Sequence, residues 1–573
     1  LLHHSPEWIA AQEFFEQFNE QIPALVGSNN WVVSGSRTNS GKPLLANDPH
    51  LGLGVPCIWY LVHLESPGYN AEGFDLPGTP LLIIGHNDRI AWGFTNNGAD
   101  VQDLYLETFN PTNPLEYRVN GAWVAAKVRH EVIPVKGRPD DLLDVVETRH
   151  GPIVRSEGVR AYALRWTATE PGSMDFGYPL LSRAKNWNEF RDMMRHVPGP
   201  AQNAVYADVD GNIAFIVGAR IPIRKNGDGS VPNPGDTDDY EWTGYIPFDD
   251  LPQVLNPPEG IIATANARTV GPGYHGFLTN RWANPYRTQR IYELLESRKS
   301  LKPEDFNAVQ NDILSLPDRF LAEQLVRAAK SRPPADPRAQ ECIRRLANFD
   351  GLAKMESVEV SFLEYTRHLL FQNLLKPYLG SDAGIYEWWD FTNAYENVWL
   401  RDKVFLENVL RDRPAIWLPR QFAGYDDLLM ASADQAVAQL QIETRNPERT
   451  GWHWGEVNPL FIPHPLARSG FLRPLLSIGP MPQSGSIDTV KAMGHGHGPS
   501  MRFVADLSNF DNSLMEITTG QSGQYGSPYY QDQFAAWYEG SMVPTPFSDA
   551  AETRALAHRL RLLPNSSSPA APH

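Results

Sequence analysis

Ser28 follows Gly27 and opens the run Ser28-Asn29-Asn30-Trp31-Val32-Val33-Ser34-Gly35. A serine hydroxyl is a weak nucleophile until a nearby group takes its proton. If the Gly27–Ser28 bond is cut, Ser28 gains an α-amine with a pKa of about 7.7–8.0, and near neutral pH part of it is unprotonated and able to serve as that base, directly or through one water. Nucleophile and base then belong to one residue, and no separate histidine is needed. A lone Gly-Ser pair is more often a turn before a strand, so the weight falls on what surrounds it. Other catalytic signatures are absent from the sequence: no Gly-x-Ser-x-Gly elbow, no His-Glu-x-x-His pair and no P-loop. The loop Gly494-His495-Gly496-His497-Gly498 offers two histidines without further ligands and reads as structural.

The surrounding motifs are Pro43-Leu44-Leu45-Ala46-Asn47-Asp48-Pro49-His50-Leu51, Gly85-His86-Asn87-Asp88-Arg89-Ile90-Ala91-Trp92-Gly93-Phe94-Thr95-Asn96 and Tyr206-Ala207-Asp208-Val209-Asp210-Gly211-Asn212-Ile213. Later come Ala265-Asn266-Ala267, Pro285-Tyr286-Arg287 and Gly520-Gln521-Ser522-Gly523. Taken in this order, they resemble the penicillin acylase (penicillin amidase) family of N-terminal nucleophile hydrolases, from Ser28 to about Phe547. The resemblance implies an α+β fold with a four-layer αββα core of two stacked antiparallel sheets. It implies that the Ser28 hydroxyl attacks an amide carbonyl, forms an acyl-enzyme and is released by water. It also implies that Ser28 is freed autocatalytically: its hydroxyl attacks the Gly27 carbonyl and water hydrolyses the resulting ester.

Carried over by motif position, the donors for the tetrahedral oxyanion are the backbone N–H of Asn96 and the side-chain amide of Asn266. Arg287 matches an arginine that orients the site. His50 stands where family members that cleave penicillin G carry glutamine and where cephalosporin acylases and acyl-homoserine-lactone acylases carry histidine; beside Ser28 it would hold or relay the serine proton. That departure makes penicillin G a doubtful natural substrate and keeps acyl-homoserine-lactone or cephalosporin acylase activity open. Leu51 and Ile84 match aromatic pocket positions, Trp166 matches a retained tryptophan, and Phe94 occupies a place that is small in some relatives. Together they would line a substrate-binding pocket. A structural Ca2+ is implied at Asp100 and Asp103, with carbonyls of Gln102 and about Gly229, since hard calcium takes carboxylate and carbonyl oxygens. No organic cofactor is implied. The partner would be a small (alpha) subunit from the same precursor, forming a heterodimer in the periplasm or outside the cell.

The elements that must position these residues can be read from pattern. Alternating runs such as Tyr60–Leu64 and Leu81–Ile84, bounded by Gly, Pro and Asn, make the first half strand-rich. Val209-Asp210-Gly211-Asn212 predicts a hairpin between Asn203–Asp208 and Ile213–Ala219. From about Thr288 to Leu440 the period turns helical, as in Ser300–Gln310, Val360–Lys376 and Asp426–Leu440. Strand signals return at Arg502–Asp506 and Ser513–Ile517, followed by a helical stretch at Gln531–Glu539. Residues 1–27 are expected to be the end of a spacer or small subunit with a helix at Pro6–Phe18, residues 28–573 the catalytic large subunit with a helical insertion at about 288–440, and Pro564–His573 a flexible tail.

Composition agrees. At 573 residues and 64.3 kDa the chain can bury a large core. A net charge of −17 and a pI near 5.4 argue against a nucleic-acid partner. Only Cys57 and Cys342 are present, too few for a disulfide framework and expected as buried thiols. No run of 18 apolar residues is available to span a membrane. Two other classes remain open at this level: a carboxylate glycosidase, for which 16 Trp would suit sugar platforms, and an unprocessed or silent binding or assembly protein.

Overall fold

Trp31-Val32-Val33 are strong strand formers, and alternation gives their strand two buried faces. In the computed structural model, which describes residues 27–79, 82–172, 177–379, 403–444, 451–468 and 470–563, strand Gly27–Val33 is buried along its whole length. It lies in a seven-stranded sheet, between Leu44–Gly52 and Ile261–Thr264, with Met501–Asp506, Leu514–Ile517 and Val543–Pro544 beyond. A second seven-stranded sheet places Ile90–Asn96 between Gln202–Asp208 and Ile84–Asn87. Every pairing in these two sheets is antiparallel.

The sheets stack. Val32, Leu45, Phe503 and Met515 of the first share one core with Phe74, Ile84 and Val205 of the second. Phe74 meets Phe503 edge-on across the gap, with ring centroids 6.2 Å apart. On its other face the first sheet packs Trp31, Val33, Leu44 and Ala46 against helices Tyr286–Glu296 and Pro303–Gln310. The outer face of the second sheet carries Tyr206, which packs on Phe190 and Trp187 of helix Trp187–Met194. Helix, sheet, sheet, helix is thus the layer order, the four-layer αββα core.

The hairpin forms as its turn residues dictate: Gln202–Asp208 pairs with Ile213–Gly218, and Gly211 turns the chain at φ 106°. The helical period of the middle region becomes seven helices between Tyr286 and Thr444 among the described residues. Tyr425–Thr444 shows why, burying Tyr425, Leu428, Leu429, Ser432, Ala433, Ala436, Val437 and Leu440 at helical spacing. Ser315 caps Leu316–Ser331 by accepting the Asp318 N–H. The helix expected at Gln531–Glu539 is shorter than its pattern, Phe534–Glu539, and a further helix, Asp549–Ala555, follows it. Gln533 gives its backbone N–H to the Thr519 carbonyl and takes the Ile517 N–H on its side chain, so the preceding residues are spent on the sheet edge rather than on the helix. Cys57 and Cys342 form no disulfide with each other; Cys342 is buried as expected, whereas Cys57 is only half-buried. The expected helix at Pro6–Phe18, the tail at Pro564–His573 and Leu81 lie outside the described residues. A third sheet, built on Gln102–Asn110 and Arg160–Trp166, continues directly from the Asn96 strand.

Candidate active site

Strand alternation decides which groups can meet at Ser28. Gly27, Asn29 and Trp31 pair with His50, Asp48 and Ala46, while Ser28 and Asn30 pair with Pro49 and Asn47. Paired residues share a face, so the Ser28 and His50 side chains leave the sheet on opposite sides. Ser28 points into the space between the sheets, and His50 points toward the helical layer.

Each polar atom of buried Ser28 is held. Its hydroxyl donates to the Gly27 carbonyl at 2.6 Å, its amide N–H donates to Asn266 Oδ1 at 2.8 Å, and its carbonyl accepts from Arg287 Nη1 at 3.0 Å. The Ser28 hydroxyl therefore rests against the carbonyl of the peptide bond that precedes it. Arg287 makes two further bonds, to Asn29 Oδ1 at 2.8 Å and to Asn266 Oδ1 at 3.0 Å. Its planar fork reaches three acceptors at once, which a lysine cannot do. Burial lowers its pKa to about 10, so it stays charged at neutral pH.

Asn266 Nδ2 donates to the Asn96 carbonyl at 2.8 Å. Asn266 adopts the left-handed backbone region at φ 66°, where asparagine is tolerated and most side chains are strained. That conformation turns the amide back toward Ser28. Ser28, Asn266 and Arg287 are thus hydrogen-bonded to one another, and Asn96 joins them through Asn266.

His50 lies apart from the hydroxyl. It is fully buried, its Nε2 accepts the Ala492 N–H at 3.3 Å and stands 3.3 Å from Asp48 Oδ2. Burial, then the charge of Arg287, keeps its pKa well below the ordinary histidine value, so it is neutral. It approaches the site behind the Gly27–Ser28 bond: a Cβ on Gly27 would sit 3.6 Å from His50 Cβ and 3.4 Å from Arg287 Nη2.

The pocket residues divide by face as well. Ile84 pairs with Phe74, whose ring meets Phe503, so Ile84 faces the space between the sheets, as does Leu51 by register with Pro49. Phe94 alternates with Gly93 and Thr95, which face the first sheet, and packs its ring edge-on to Tyr178 at 5.2 Å on the outer side. Trp166 ends its strand in the third sheet, opposite Gln102, and is 37% exposed. Register brings Leu51 and Ile84 to the Ser28 side and turns Phe94 to the other face of its sheet.

At the expected calcium position, Asp100 and Asp103 are close together and Gly229 packs on them, but the space holds a guanidinium. Arg224 Nε and Nη2 both reach Asp103, at 2.9 Å to Oδ2 and 2.9 Å to Oδ1. Gln102 is exposed at the start of its strand. Among the described residues no group of three or more His, Cys, Asp or Glu could hold a metal ion. As they stand, these residues do not fit calcium.

Several groups that build the site carry no recognisable signal of their role in the sequence. Asn29 Nδ2 donates to Asp48 Oδ2 at 3.0 Å and to the Val490 carbonyl at 2.9 Å, which sets the Oδ1 that Arg287 reads. Asn47 bridges the sheets, giving Nδ2 to the Phe94 carbonyl and accepting its N–H, each within 2.9 Å. Gly93 must be glycine for this approach, because a Cβ there would meet Asn47 at 2.8 Å. Asn30, Thr264, Thr95 and Asn203 form a second buried polar chain beneath Ser28. The available clue was asparagine, a poor strand former, recurring inside runs that otherwise read as strands.

Known proteins align with this arrangement. The family model described as penicillin amidase matches residues 3–554. Acyl-homoserine lactone acylase QuiP of Pseudomonas aeruginosa is 30% identical over 575 residues, covering 91% of this chain and 67% of that protein. Penicillin acylase 2 proenzyme of a Pseudomonas species is 31% identical over 546 residues, with the same coverage of 91% and 67%. A thermostable penicillin G acylase from Alcaligenes faecalis superposes with a TM-score of 0.73 at 20% identity, over 94% of this chain and 100% of that one, a likeness of fold. With a family match running through both sheets, the helical layers and every residue around Ser28, the chain belongs to the penicillin amidase family.

Proposed function

We propose that Ser28 is an N-terminal nucleophile released by cleavage of the Gly27–Ser28 bond, and that the mature enzyme hydrolyses N-acyl amides through an acyl-enzyme on its hydroxyl. The amide-hydrolase class comes with the family; the observation that carries the rest is the hydroxyl held 2.6 Å from the Gly27 carbonyl oxygen, with the Ser28 N–H and C=O both tied. In processing, the Ser28 oxygen bonds to the Gly27 carbonyl carbon, the C–N bond breaks, and the nitrogen takes the proton. Water then hydrolyses the ester to a Gly27 carboxylate and a free Ser28 hydroxyl and amine.

In turnover the free amine accepts the hydroxyl proton, directly or through one water, and returns it to the leaving amine. Asn266 Oδ1 holds the amine where it holds the amide N–H. The Arg287 charge beside it disfavours the protonated amine and keeps the base available near neutral pH. The Asn96 backbone N–H and Asn266 Nδ2 receive the oxyanion. The Asn266 amide has two N–H groups, one of which is given to the Asn96 carbonyl.

Within the family, acyl-homoserine lactones are a reading beside penicillin-type amides. It is favoured by His50 and by the similarity to QuiP, which bears that name. A small subunit from the same precursor would complete the pocket as a heterodimer, and a periplasmic or secreted location suits such a proenzyme.

The test is intact mass and N-terminal analysis of protein expressed from the full precursor. A chain beginning at Ser28 is expected, and Ser28→Ala should remain joined and inactive. Cleavage of Ser28→Ala at the same bond, as efficiently as in the unsubstituted protein, would refute self-processing. An acyl-substrate panel on the mature enzyme then separates lactone from β-lactam amines.

A further inference from the structure

Four residues after Asn96 the chain reaches Asp100, and it enters the third sheet at Gln102. What holds that passage in place is a cation, and the cation is part of the chain. We propose that the Arg224 guanidinium is the resident counter-charge of the Asp100–Asp103 site, so that the folded enzyme neither holds nor needs a structural calcium ion there.

The argument rests on how fully the oxygens are used. Asp103 Oδ1 accepts from Arg224 Nη2 at 2.9 Å and from Nε at 3.2 Å; its Oδ2 accepts from Nε at 2.9 Å and from Trp242 Nε1 at 2.5 Å. Three N–H groups, Arg224 Nη2 and Nε and Trp242 Nε1, thus hold both Asp103 oxygens, with the one Nε–H shared between them. The Asp100 carbonyl accepts from Arg224 Nη2 at 3.2 Å, and one Asp100 carboxylate oxygen lies 3.4 Å from the same nitrogen. Calcium takes six to eight oxygens at about 2.3–2.6 Å; here both Asp103 carboxylate oxygens and the Asp100 carbonyl already face nitrogen donors.

Space is closed as well. Gly229, at φ 79°, packs so near that a Cβ would meet Asp103 Oδ1 at 2.4 Å, Asp100 Oδ2 at 2.8 Å and Arg224 Nη2 at 2.9 Å. Arg224 is 3% exposed and Asp103 is fully buried, so the pair cannot open without moving the surrounding chain. The two donors to Asp103 come from one hairpin, since Pro222–Arg224 pairs with Trp242–Tyr245. That hairpin therefore clamps the segment leading away from Asn96 through both a guanidinium and an indole. A planar fork matches a carboxylate at two points, which gives it the directional hold that a spherical ion obtains only by collecting many ligands.

The test compares thermal unfolding midpoints of the purified mature enzyme in EDTA and in excess calcium. Because a ligand present at about 100 times its Kd shifts the folding equilibrium about 100-fold, a calcium-holding protein would show a clear rise. The expected result is no shift in the unsubstituted enzyme. In Arg224→Ser the midpoint should fall in EDTA and recover with calcium, because two neighbouring carboxylates are left without a counter-charge. Should Arg224→Ser fail to accumulate, Arg224→Lys keeps the charge but not the fork and should show a lowered midpoint that calcium does not restore. A midpoint of the unsubstituted enzyme that drops in EDTA, returns with calcium and loses that dependence in Asp103→Asn would overturn the proposal. A dependence that survives Asp103→Asn places the ion elsewhere and leaves Arg224 as the resident cation. Unfolding is read without turnover, so the outcome is independent of the role given to Ser28.

Discussion

Replacing Asn266 by glycine removes one amide and nothing else that the backbone requires, because its φ of 66° is a conformation glycine adopts freely. Three hydrogen bonds go with that amide: from the Ser28 N–H at 2.8 Å, from Arg287 Nη2 at 3.0 Å, and to the Asn96 carbonyl at 2.8 Å. Loss of an oxyanion donor costs about 2.7–4 kcal/mol of transition-state stabilisation, or about 100–1000-fold in kcat. The loss of bonds to Ser28 and to a charged guanidinium lowers folding stability by about 2–4 kcal/mol, less whatever entering water restores. Asn266→Asp gives the contrast. It keeps an oxygen for Ser28 and Arg287 but sets a second oxygen 2.8 Å from the Asn96 carbonyl, so kcat should fall as far while the ground-state anchoring of Ser28 survives. The assay is turnover of a chromogenic acyl-anilide, normalised to the fraction of chains that begin at Ser28, with a denaturation curve for each variant. If Asn266→Gly keeps kcat within about threefold, under about 0.7 kcal/mol of barrier, the assignment of Asn266 as an oxyanion donor is wrong.

Other outcomes follow from the same geometry. The acid limb of kcat/KM should report the Ser28 amine, with an apparent pKa at or below about 7.7–8.0, and His50→Gln should leave that limb in place; a limb that moves with His50→Gln would make His50 the base. Burial drives the His497 pKa down to about 4 from 6.5. The unfolded chain therefore binds the extra proton first, and stability should decline by about 1.4 kcal/mol per pH unit as pH falls from about 6.5 toward 4. His497→Gln should flatten that part of the stability profile in urea titrations, and an unchanged slope would contradict it. Phe94 is 5% exposed and packs on Tyr178, so Phe94→Ala should cost about 3–5 kcal/mol of stability as a core truncation. A cost below about 1 kcal/mol would mean that its ring lines open space instead.

Much of the frame was legible in order of sequence. The Gly211 turn, the strands on either side of it and the helical period of Val358–Leu379 and Tyr425–Thr444 are local properties, set by backbone conformation and by spacing of apolar residues. Ser28, Asn96, Asn266 and Arg287 could be named from their motifs, and they do meet. The supporting polar groups could not, because Asn29, Asp48, Asn47 and Asn203 act through partners 18 or more residues away in the chain. Nothing local to Asn29 says that its amide will stand between a carboxylate and a guanidinium.

What the amino-acid sequence determined by itself was a serine preceded by glycine at the start of a strand, and the strands and helices able to bury it. Tertiary structure decided two matters that residue type leaves open. Register with Gly27 sends the His50 side chain to the opposite face from the Ser28 hydroxyl, because a strand alternates faces with every residue and one position is enough to separate them. Arg224, 121 residues from Asp103, fills the cradle that two aspartates alone would offer to a metal. Charge placed by folding, across segments that no spacing rule connects, is what sets the chemistry of that site.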